Sequence, residues 1–159
     1  MADVHSGIIR SKNMRAIASD NTVIEQKVAG LLDQMAVGYR VQAAELPGKP
    51  DFVLDAYNAV IFVHGCFWHQ HNCHFFKLPA TRTDFWRDKI NKNSERDLRN
   101  RQKISISGWR VLIVWECALR GRQKLAECCC QQRIEEWLCA SACNAEINTQ
   151  GIHQLPEQA

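Results

Sequence analysis

Apolar residues recur at helical spacing in three separate stretches of the chain. The first predicts a helix that is capped by Asp20 or Asn21 and ends at Gly38, with an apolar stripe of Ile24, Val28, Leu31, Leu32 and Met35. The second predicts a long helix over about 84–107, capped by Thr83 and stopped by Gly108, with an apolar side of Trp86, Ile90, Leu98 and Ile104. A third helix is predicted over about 122–139.

Extended apolar segments predict four strands, at residues 39–42, 51–55, 59–63 and 109–115. Two prolines and a glycine within 46–50 predict a turn there. Segment 59–63 is apolar throughout, as is typical of a central strand that is buried on both faces. The order of these elements predicts an α/β fold in which helices flank a mixed β-sheet. The residues after Asn144 are mostly polar and receive no assignment.

Length and composition limit the class of protein. With 159 residues, 46% hydrophobic and 23% charged, the chain fits an ordinary globular protein, and we expect one domain over 20–159. No apolar run approaches the roughly 18 residues of a membrane span. Residues 1–5 lack the basic and apolar pattern of a signal peptide. We therefore expect a cytoplasmic monomer with no membrane contact.

Charge is distributed unevenly along the chain. The net charge is +3, yet residues 77–110 carry ten Lys or Arg against four Asp or Glu, whereas residues 121–159 carry three against five. A basic face suits nucleic acid, although a solvated helix would show the same charges. Residues 1–19 predict a basic arm that orders on a phosphate backbone; the alternative is a disordered terminus.

The side chains with the most chemical potential lie in residues 64–74, directly after the central strand. This segment contains four histidines and two cysteines. Three of its residues are suitable zinc ligands: Cys66, His71 and Cys73. Cys117, which follows the predicted strand 109–115, is the natural fourth ligand, and His74 is an alternative to His71. Four protein ligands leave no open position, so such a site is structural. We interpret the other cysteines as core or helix-surface residues.

A second site is predicted where two neighbouring strands end. Asp51 supplies a carboxylate and Val63 a backbone carbonyl, and this hard-oxygen pair suits Mg²⁺. Such an ion polarises a phosphodiester and activates water, and His69 or His64 can then take the proton. Glu25 lies off the centre of the first helical stripe, where a carboxylate is usually solvated.

Two other features have competing interpretations. Asp97 can orient a histidine, or can pair with Arg101 at i,i+4 on a solvated helix face, which the local sequence favours. Phe67 and Trp68 are adjacent in a polar loop and cannot both face one core, so we expect them to unstack bases. Trp86 fits the apolar side of the long helix, and the spacing alone favours a core position.

Five segments resemble the very-short-patch-repair (Vsr) DNA mismatch endonucleases. They are SKNMRAI at 11–17, LPGKPDF at 46–52, VHGCFWH at 63–69, FKLPATRT at 76–83 and GWRVLIVWEC at 108–117. The resemblance extends from about residue 5 to 153 and implies a restriction-endonuclease-like core. It also implies a strand-specific nick 5′ to the thymine of a T:G mismatch, the product of 5-methylcytosine deamination at a cytosine-5 methyltransferase site. Catalytic Mg²⁺, structural Zn²⁺ and the MutL mismatch-repair protein as a partner are implied as well.

The resemblance also implies roles for individual residues. The Mg²⁺ ligands fall on Asp51 and Val63, and the catalytic histidine falls on His69, with three supporting residues: His64, Asp97 and Glu25. The zinc ligands fall on Cys66, His71, Cys73 and Cys117. The intercalating aromatics fall on Phe67, Trp68 and Trp86, which reverses the core interpretation of Trp86. The N-terminal arm is implied to contact DNA in the minor groove, with Met14 and its basic neighbours Lys12 and Arg15.

One departure from other nucleases bears on the mechanism. The usual aspartate followed by (D/E)xK is absent, and residues 62–64 (Phe-Val-His) stand in its place, which favours a histidine base. A threonine often stands at the position of Val63, but a carbonyl ligand does not depend on the side chain. The alternative function is a non-catalytic zinc-containing DNA-binding module, which would bind a T:G duplex without cutting it. A zinc hydrolase of small substrates requires an open zinc position, which four ligands do not leave.

Overall fold

The computed structural model describes residues 21–156, which form a six-stranded mixed sheet with helices on both faces. The strands lie side by side in chain order: β1 Arg40–Val41, β2 Phe52–Leu54, β3 Ala59–His64, β4 Arg110–Trp115, β5 Ala145–Asn148 and β6 Gly151–Gln154. The helices are α1 Asn21–Gln34, α2 Thr83–Ile106, α3 Glu116–Leu119 and α4 Glu127–Ala140. The predicted mixed sheet flanked by helices is therefore confirmed. None of the helices in this described part of the chain is long and apolar enough to cross a membrane.

The two central strands, β3 and β4, are parallel, and α2 forms the crossover between them. All six residues of β3 are buried, as the continuous apolar pattern predicted. β4 and β5 are also parallel, whereas the β1–β2, β2–β3 and β5–β6 pairs are antiparallel. The register pairs His64 with Trp115 and so brings them together at the carboxyl ends of β3 and β4.

Side-chain alternation along the strands divides the interior into two cores. One face of the sheet packs Ile61, Val63 and Val114 into a core with residues of α1 and α4. The opposite face packs Val60, Phe62 and Ile113 with Ile104 of α2. His64 and Trp115 continue the alternation onto this second face. The side chains at the ends of the central strands therefore face α2.

Two helix boundaries differ from the predicted ones, and one helix is additional. α1 ends at Gln34 rather than at Gly38, because Ala36 adopts a positive φ of 57°. α4 begins at Glu127 rather than near residue 122, since the chain first turns through Gly121 at a φ of 89°. The short helix α3, directly after β4, was not predicted.

The long helix α2 matches its predicted span, but two of its residues do not have their predicted roles. Arg82, not Thr83, is the N-cap, and the Thr83 hydroxyl donates instead to the Pro79 carbonyl at 2.8 Å. Gly108 ends the helix at a φ of 99°, as predicted. Leu98 is 38% exposed, so its assignment to the apolar side was wrong.

The unassigned tail contains the β5–β6 hairpin, which completes the sheet. Ala145 and Ile147 are buried, and between them Glu146 points to the other face of the sheet. Arg110, at the start of β4, donates from its guanidinium to the carbonyls of Tyr57 and Ser141 at 2.7 and 2.8 Å. These bonds tie the end of α4 and the approach to the hairpin against the central strands.

Candidate active site and metal centre

A cavity of about 490 Å³ opens on the α2 face of the sheet, at the carboxyl end of β3. Its walls come from the turn before β2, from the ends of β3 and β4, and from the middle of α2. Six of its lining residues carry polar side chains relevant to catalysis: Asp51, His64, His69, Asp97, Arg101 and Trp115. The fold therefore brings together, in one cleft, residues that are far apart in the sequence.

Two histidines are stacked at the back of this cleft. The rings of His64 and His69 are parallel within 4°, and their centroids lie 3.8 Å apart. His64 is buried, and its Nδ1 has no hydrogen-bond partner. Burial, together with the adjacent His69, lowers the pKa of His64 well below its usual range. His64 is therefore a neutral ring against which His69 is held.

Asp97 of α2 forms a hydrogen bond through its Oδ2 to Nδ1 of His69. The local preference for an i,i+4 pair of Asp97 with Arg101 was thus wrong, because both side chains turn toward the cleft. A carboxylate on Nδ1 fixes the tautomer of the ring and leaves Nε2 as the proton acceptor. The His69–Asp97 pair therefore has the arrangement that a general base requires.

Two carboxylates converge beside these histidines. Asp51 accepts a 2.7 Å hydrogen bond from the backbone N–H of Val63, and the side-chain amide of Gln42 donates to both Glu25 and Asp51, at 3.2 and 3.4 Å. Burial raises the pKa of Asp51 to about 6. Burial and the negative charge of Asp51 raise the pKa of Glu25 to about 7. Its local sequence suggested that Glu25 is fully solvated. Instead it is half-buried, and Gln42 joins it to Asp51.

Such a pair of partly buried carboxylates fits a divalent cation. Their oxygens are the hard ligands that Mg²⁺ prefers, and a cation would offset both the burial and the mutual repulsion that raise the two pKa values. Lys49 is the positive side chain whose charge acts on both. Asp51 and Glu25 are the residues that would contact the ion, with the backbone of Val63 adjacent.

A second group of ligands lies behind the histidine stack. The ligand atoms of Cys66, His71, Cys73 and Cys117 are all within 4.8 Å of one another. The Sγ atoms of Cys66 and Cys117 lie 3.5 and 3.6 Å from Nδ1 of His71. Tetrahedral zinc, with bonds of about 2.3 Å to sulfur and about 2.05 Å to nitrogen, would separate these atoms by about 3.6 Å. This donor set therefore fits zinc in type, number and spacing.

The two buried thiols of this group, Cys66 and Cys117, are hydrogen-bonded to each other. Hydrogen bonding from Cys66 lowers the pKa of Cys117 to about 4, and the same bond raises the pKa of Cys66. Burial also raises the pKa of Cys73. His74 lies outside the group: it is exposed, with its ring 4.3 Å from that of Phe75, so the alternative that placed it in the ligand set was wrong.

Sequence reasoning missed three residues around the ligand group and the cleft: Trp115, Glu116 and Glu146. The Trp115 ring is stacked on His71, with centroids 4.1 Å apart, and its edge meets His64 at 5.3 Å. Its Nε1 donates to Oε1 of Glu146 at 2.7 Å. Glu116, which is buried, accepts a 3.0 Å hydrogen bond from the backbone N–H of Cys66. Nothing local marks Glu146, because it belongs to the tail that had no predicted structure.

An aromatic cluster joins the loop after β3 to α2 and consists of Phe67, Trp68 and Trp86. The centroid of Trp86 lies 5.8 Å from those of both Phe67 and Trp68. Each of the three is only half-buried, and none belongs to either core of the described residues. The core interpretation of Trp86 was therefore wrong.

Other predicted residues are not part of these sites or lie outside the described chain. The arm residues Lys12, Met14 and Arg15 fall outside residues 21–156. Cys130 is buried in the core and Cys128 and Cys139 are exposed, as interpreted from sequence. Within the described chain, no metal-binding group includes any cysteine beyond 117.

Comparison with known proteins identifies the family. The profile described as DNA mismatch endonuclease Vsr matches residues 2–75. The chain is 59% identical over 155 residues to the DNA mismatch endonuclease Vsr of Escherichia coli (strain K12), covering 98% of this chain and 99% of that protein. It is 42% identical over 106 residues to the type II nicking enzyme V.XorIIP of Xanthomonas oryzae pv. oryzae, covering 67% and 78% of the two chains. It is 40% identical over 122 residues to the type II nicking enzyme V.NmeAIP of Neisseria meningitidis serogroup A, covering 77% of this chain and 87% of that protein. This chain belongs to the family of the DNA mismatch endonuclease Vsr.

Proposed function

We propose that this protein is a sequence-specific DNA endonuclease that nicks one strand 5′ to the thymine of a T:G mismatch. Its substrate is the mismatch left by deamination of 5-methylcytosine, and its nick begins very short patch repair. Membership of the Vsr family, whose relatives include both a mismatch endonuclease and nicking enzymes, supports this activity. The observation that carries the proposal is the His69–Asp97 pair in the same cleft as the Asp51 carboxylate. The core is then of the restriction-endonuclease type.

In the proposed reaction, His69 acts as the general base. Its Nδ1 stays bonded to Asp97, so that Nε2 takes the proton from the attacking water and the carboxylate stabilises the imidazolium that results. His64 stays neutral and keeps the His69 ring in one plane. Three groups would hold Mg²⁺: the carboxylates of Asp51 and Glu25 and the carbonyl of Val63. When bound, that ion would polarise the scissile phosphate and lower the pKa of water.

The ligand group of Cys66, His71, Cys73 and Cys117 has a structural role in this proposal. All four ligands come from the protein, which is typical of closed, structural zinc sites. The group joins the loop after β3 to the short helix α3 after β4. Zinc there would fix the segment that carries both His69 and the aromatic cluster. The catalytic histidine and the DNA-contacting rings would thus keep a constant separation.

The aromatic cluster is the proposed contact with the mismatched bases. Half-buried rings next to the loop that carries the catalytic histidine can unstack a base step and hold the duplex in a distorted form. The single folded domain over 20–159 would supply the chemistry, while the basic arm, residues 1–19, would reach the minor groove. We further propose that the enzyme acts as a monomer in the bacterial cytoplasm, at the nucleoid, and that it has MutL as a partner.

A nicking assay tests this proposal. Wild-type protein, Asp51→Ala and His69→Ala would each be incubated with a T:G duplex and Mg²⁺, with His153→Ala as the control. His153 is exposed on β6 and belongs to neither site. We expect the control to nick like wild type and the other two variants to lose at least about a hundredfold in rate, because His69→Ala removes the general base and Asp51→Ala removes a ligand of the Mg²⁺ that would polarise the phosphate.

Two results would contradict the proposal. The first is wild-type nicking by a folded, zinc-loaded Asp51→Ala or His69→Ala protein, which would show that the active site lies elsewhere. The second is tight binding of the wild-type protein to the T:G duplex without any cleavage in Mg²⁺. That result would favour the alternative, a non-catalytic zinc-containing DNA-binding module.

A further inference from the structure

An exposed face of α2, beside the cleft, carries a row of positive charges. Five cationic residues recur along it at steps of three and four: Lys89, Lys92, Arg96, Arg99 and Lys103. At 1.5 Å per residue, this basic stripe is about 21 Å long. All five side chains are exposed. Residues at this spacing share one side of a helix, so the stripe is one continuous surface.

Four of the five stripe residues lie outside the cleft, and only Arg96, at the middle of the stripe, also lines it. Ile90 and Ile104 are buried, and Asp97 points into the cleft, so together they mark the inward side of the helix. At about 100° per residue, the stripe lies roughly 80° to 160° round the helix from Asp97. The charges of the other four residues are therefore not needed for the geometry of the catalytic residues.

Acidic partners neutralise only a small part of the stripe. Lys92 forms an i,i+4 ion pair with Asp88 at 3.2 Å, and Arg96 donates to the neutral side chain of Asn93 at 3.0 Å. Lys89, Arg99 and Lys103 take part in none of the salt bridges within residues 21–156. Like charges at i,i+4 destabilise a helix, so a row of them is favourable chiefly when a polyanion binds it.

The N-terminal end of the stripe meets the aromatic cluster. Phe85, one helical turn before Lys89, is 46% exposed, and the Arg82 guanidinium lies 4.4 Å from its ring centroid. The edge of the Phe85 ring contacts Trp86, with centroids 5.3 Å apart. A solvated charged helix has no need of an exposed aromatic ring at this place. Cations that continue from exposed aromatic rings are the combination found on nucleic-acid-binding surfaces.

We propose that Phe85 and the basic stripe bind the sugar–phosphate backbone of the DNA duplex beside the mismatch, with Arg96 at the edge of the catalytic cleft and the other four cations outside it. Duplex phosphates recur about every 3.4 Å of rise along each strand, so the stripe corresponds to about six base pairs. The contact positions the duplex without reading its sequence, since phosphates carry no base information. The inference rests on the proposed function only in that the aromatic cluster must face the mismatch.

Salt dependence of binding tests the proposal with a matched pair of double variants. Arg99→Gln with Lys103→Gln removes one Arg and one Lys from the far end of the stripe. Arg122→Gln with Lys124→Gln removes the same charges from an exposed segment between α3 and α4. Affinity for a T:G duplex and for the matched T:A duplex would be measured without Mg²⁺ from about 50 to about 200 mM salt. Because no cleavage is involved, the result does not depend on whether the protein nicks.

The stripe variant is expected to reduce the slope of log affinity against log salt by about 1.8, or 0.9 for each lost phosphate contact. Wild-type protein should then lose about 12-fold more affinity than this variant across that salt range. The change should be equal on both duplexes, and the control variant should keep the wild-type slope. An unchanged slope in the stripe variant would overturn the proposal. It would show that the stripe is solvated or contacts a protein partner instead of DNA. An effect on the mismatched duplex alone would also overturn it, since backbone contacts do not distinguish the two.

Discussion

Replacing Glu146 with leucine removes the acceptor that holds the Trp115 ring in place. The indole is 7% exposed, and its N–H has Glu146 as its partner at 2.7 Å. The same ring lies flat on His71 and edge-on to His64. The substitution therefore disturbs a side chain that contacts both the ligand group and the histidine stack.

The expected magnitude follows from the type of hydrogen bond. A hydrogen bond to a charged partner contributes about 1.5–3 kcal/mol, and leucine leaves the indole N–H without an acceptor in a buried place. For a chain of this size, about 2 kcal/mol lowers the melting temperature by about 4–8 °C. Glutamine keeps an acceptor oxygen, and neutral hydrogen bonds are about half as strong as charged ones. Glu146→Gln should therefore lose no more than half as much.

The functional effect should follow the same order. If the Trp115 ring turns, His71 and His64 lose the surface against which they stack, so single-turnover nicking should slow in Glu146→Leu more than in Glu146→Gln. Thermal unfolding, zinc content and single-turnover nicking would be measured for both variants. Glu135→Leu and Glu135→Gln, at an exposed position of α4, would serve as controls. Equal effects of leucine and glutamine at 146 would refute the reasoning, because only leucine removes the acceptor.

Three further variants test other parts of the molecule. Cys73→Ser should lower both zinc content and melting temperature, since one of the four ligands is lost; a normal melting temperature measured by calorimetry would contradict this. Asp97→Asn should reduce single-turnover nicking at least about a hundredfold with little change in DNA affinity, because an amide does not stabilise the His69 imidazolium; unchanged nicking would exclude the orienting role. Gly121→Ala should unfold at a lower temperature than Gly108→Ala. Both glycines have a positive φ, but only at 121 would the new Cβ clash with the Phe75 ring, at 2.6 Å. Equal melting temperatures of the two variants would show that the loop accommodates the clash.

The sequence was informative where one kind of interaction dominates a segment. The central strand β3 and the helix α2 were predicted because burial on two faces and helical spacing leave a regular pattern. The ligand group was predicted because cysteine and histidine are rare enough for their spacing to be informative. For the same reason, Cys117 could be identified as the fourth ligand, because it closely follows the apolar strand β4.

Prediction failed where tertiary contacts override local preferences. Asp97 has a cation four residues away, yet a histidine from a distant loop forms its hydrogen bond. Glu25 appeared solvated from its helix position, but Gln42 joins it to Asp51. The hairpin in the tail was missed because its strands are four residues long and half polar, so no apolar alternation identifies them. In each case the deciding partner is distant in sequence.

The hairpin in the tail has a consequence for the order in which the protein is synthesised and folds. Strand order equals chain order, so every residue of the cleft and of the ligand group precedes β5. A nascent chain that has reached α4 already contains the complete cleft, but its buried strand β4 still has one unpaired edge. During that interval, apolar residues 111–114 offer a template for pairing with other chains. Pairing of β5 closes this edge, and in the same step it brings Glu146 to Trp115. Protection from aggregation and orientation of the histidines are thus acquired together, when β5 pairs with β4.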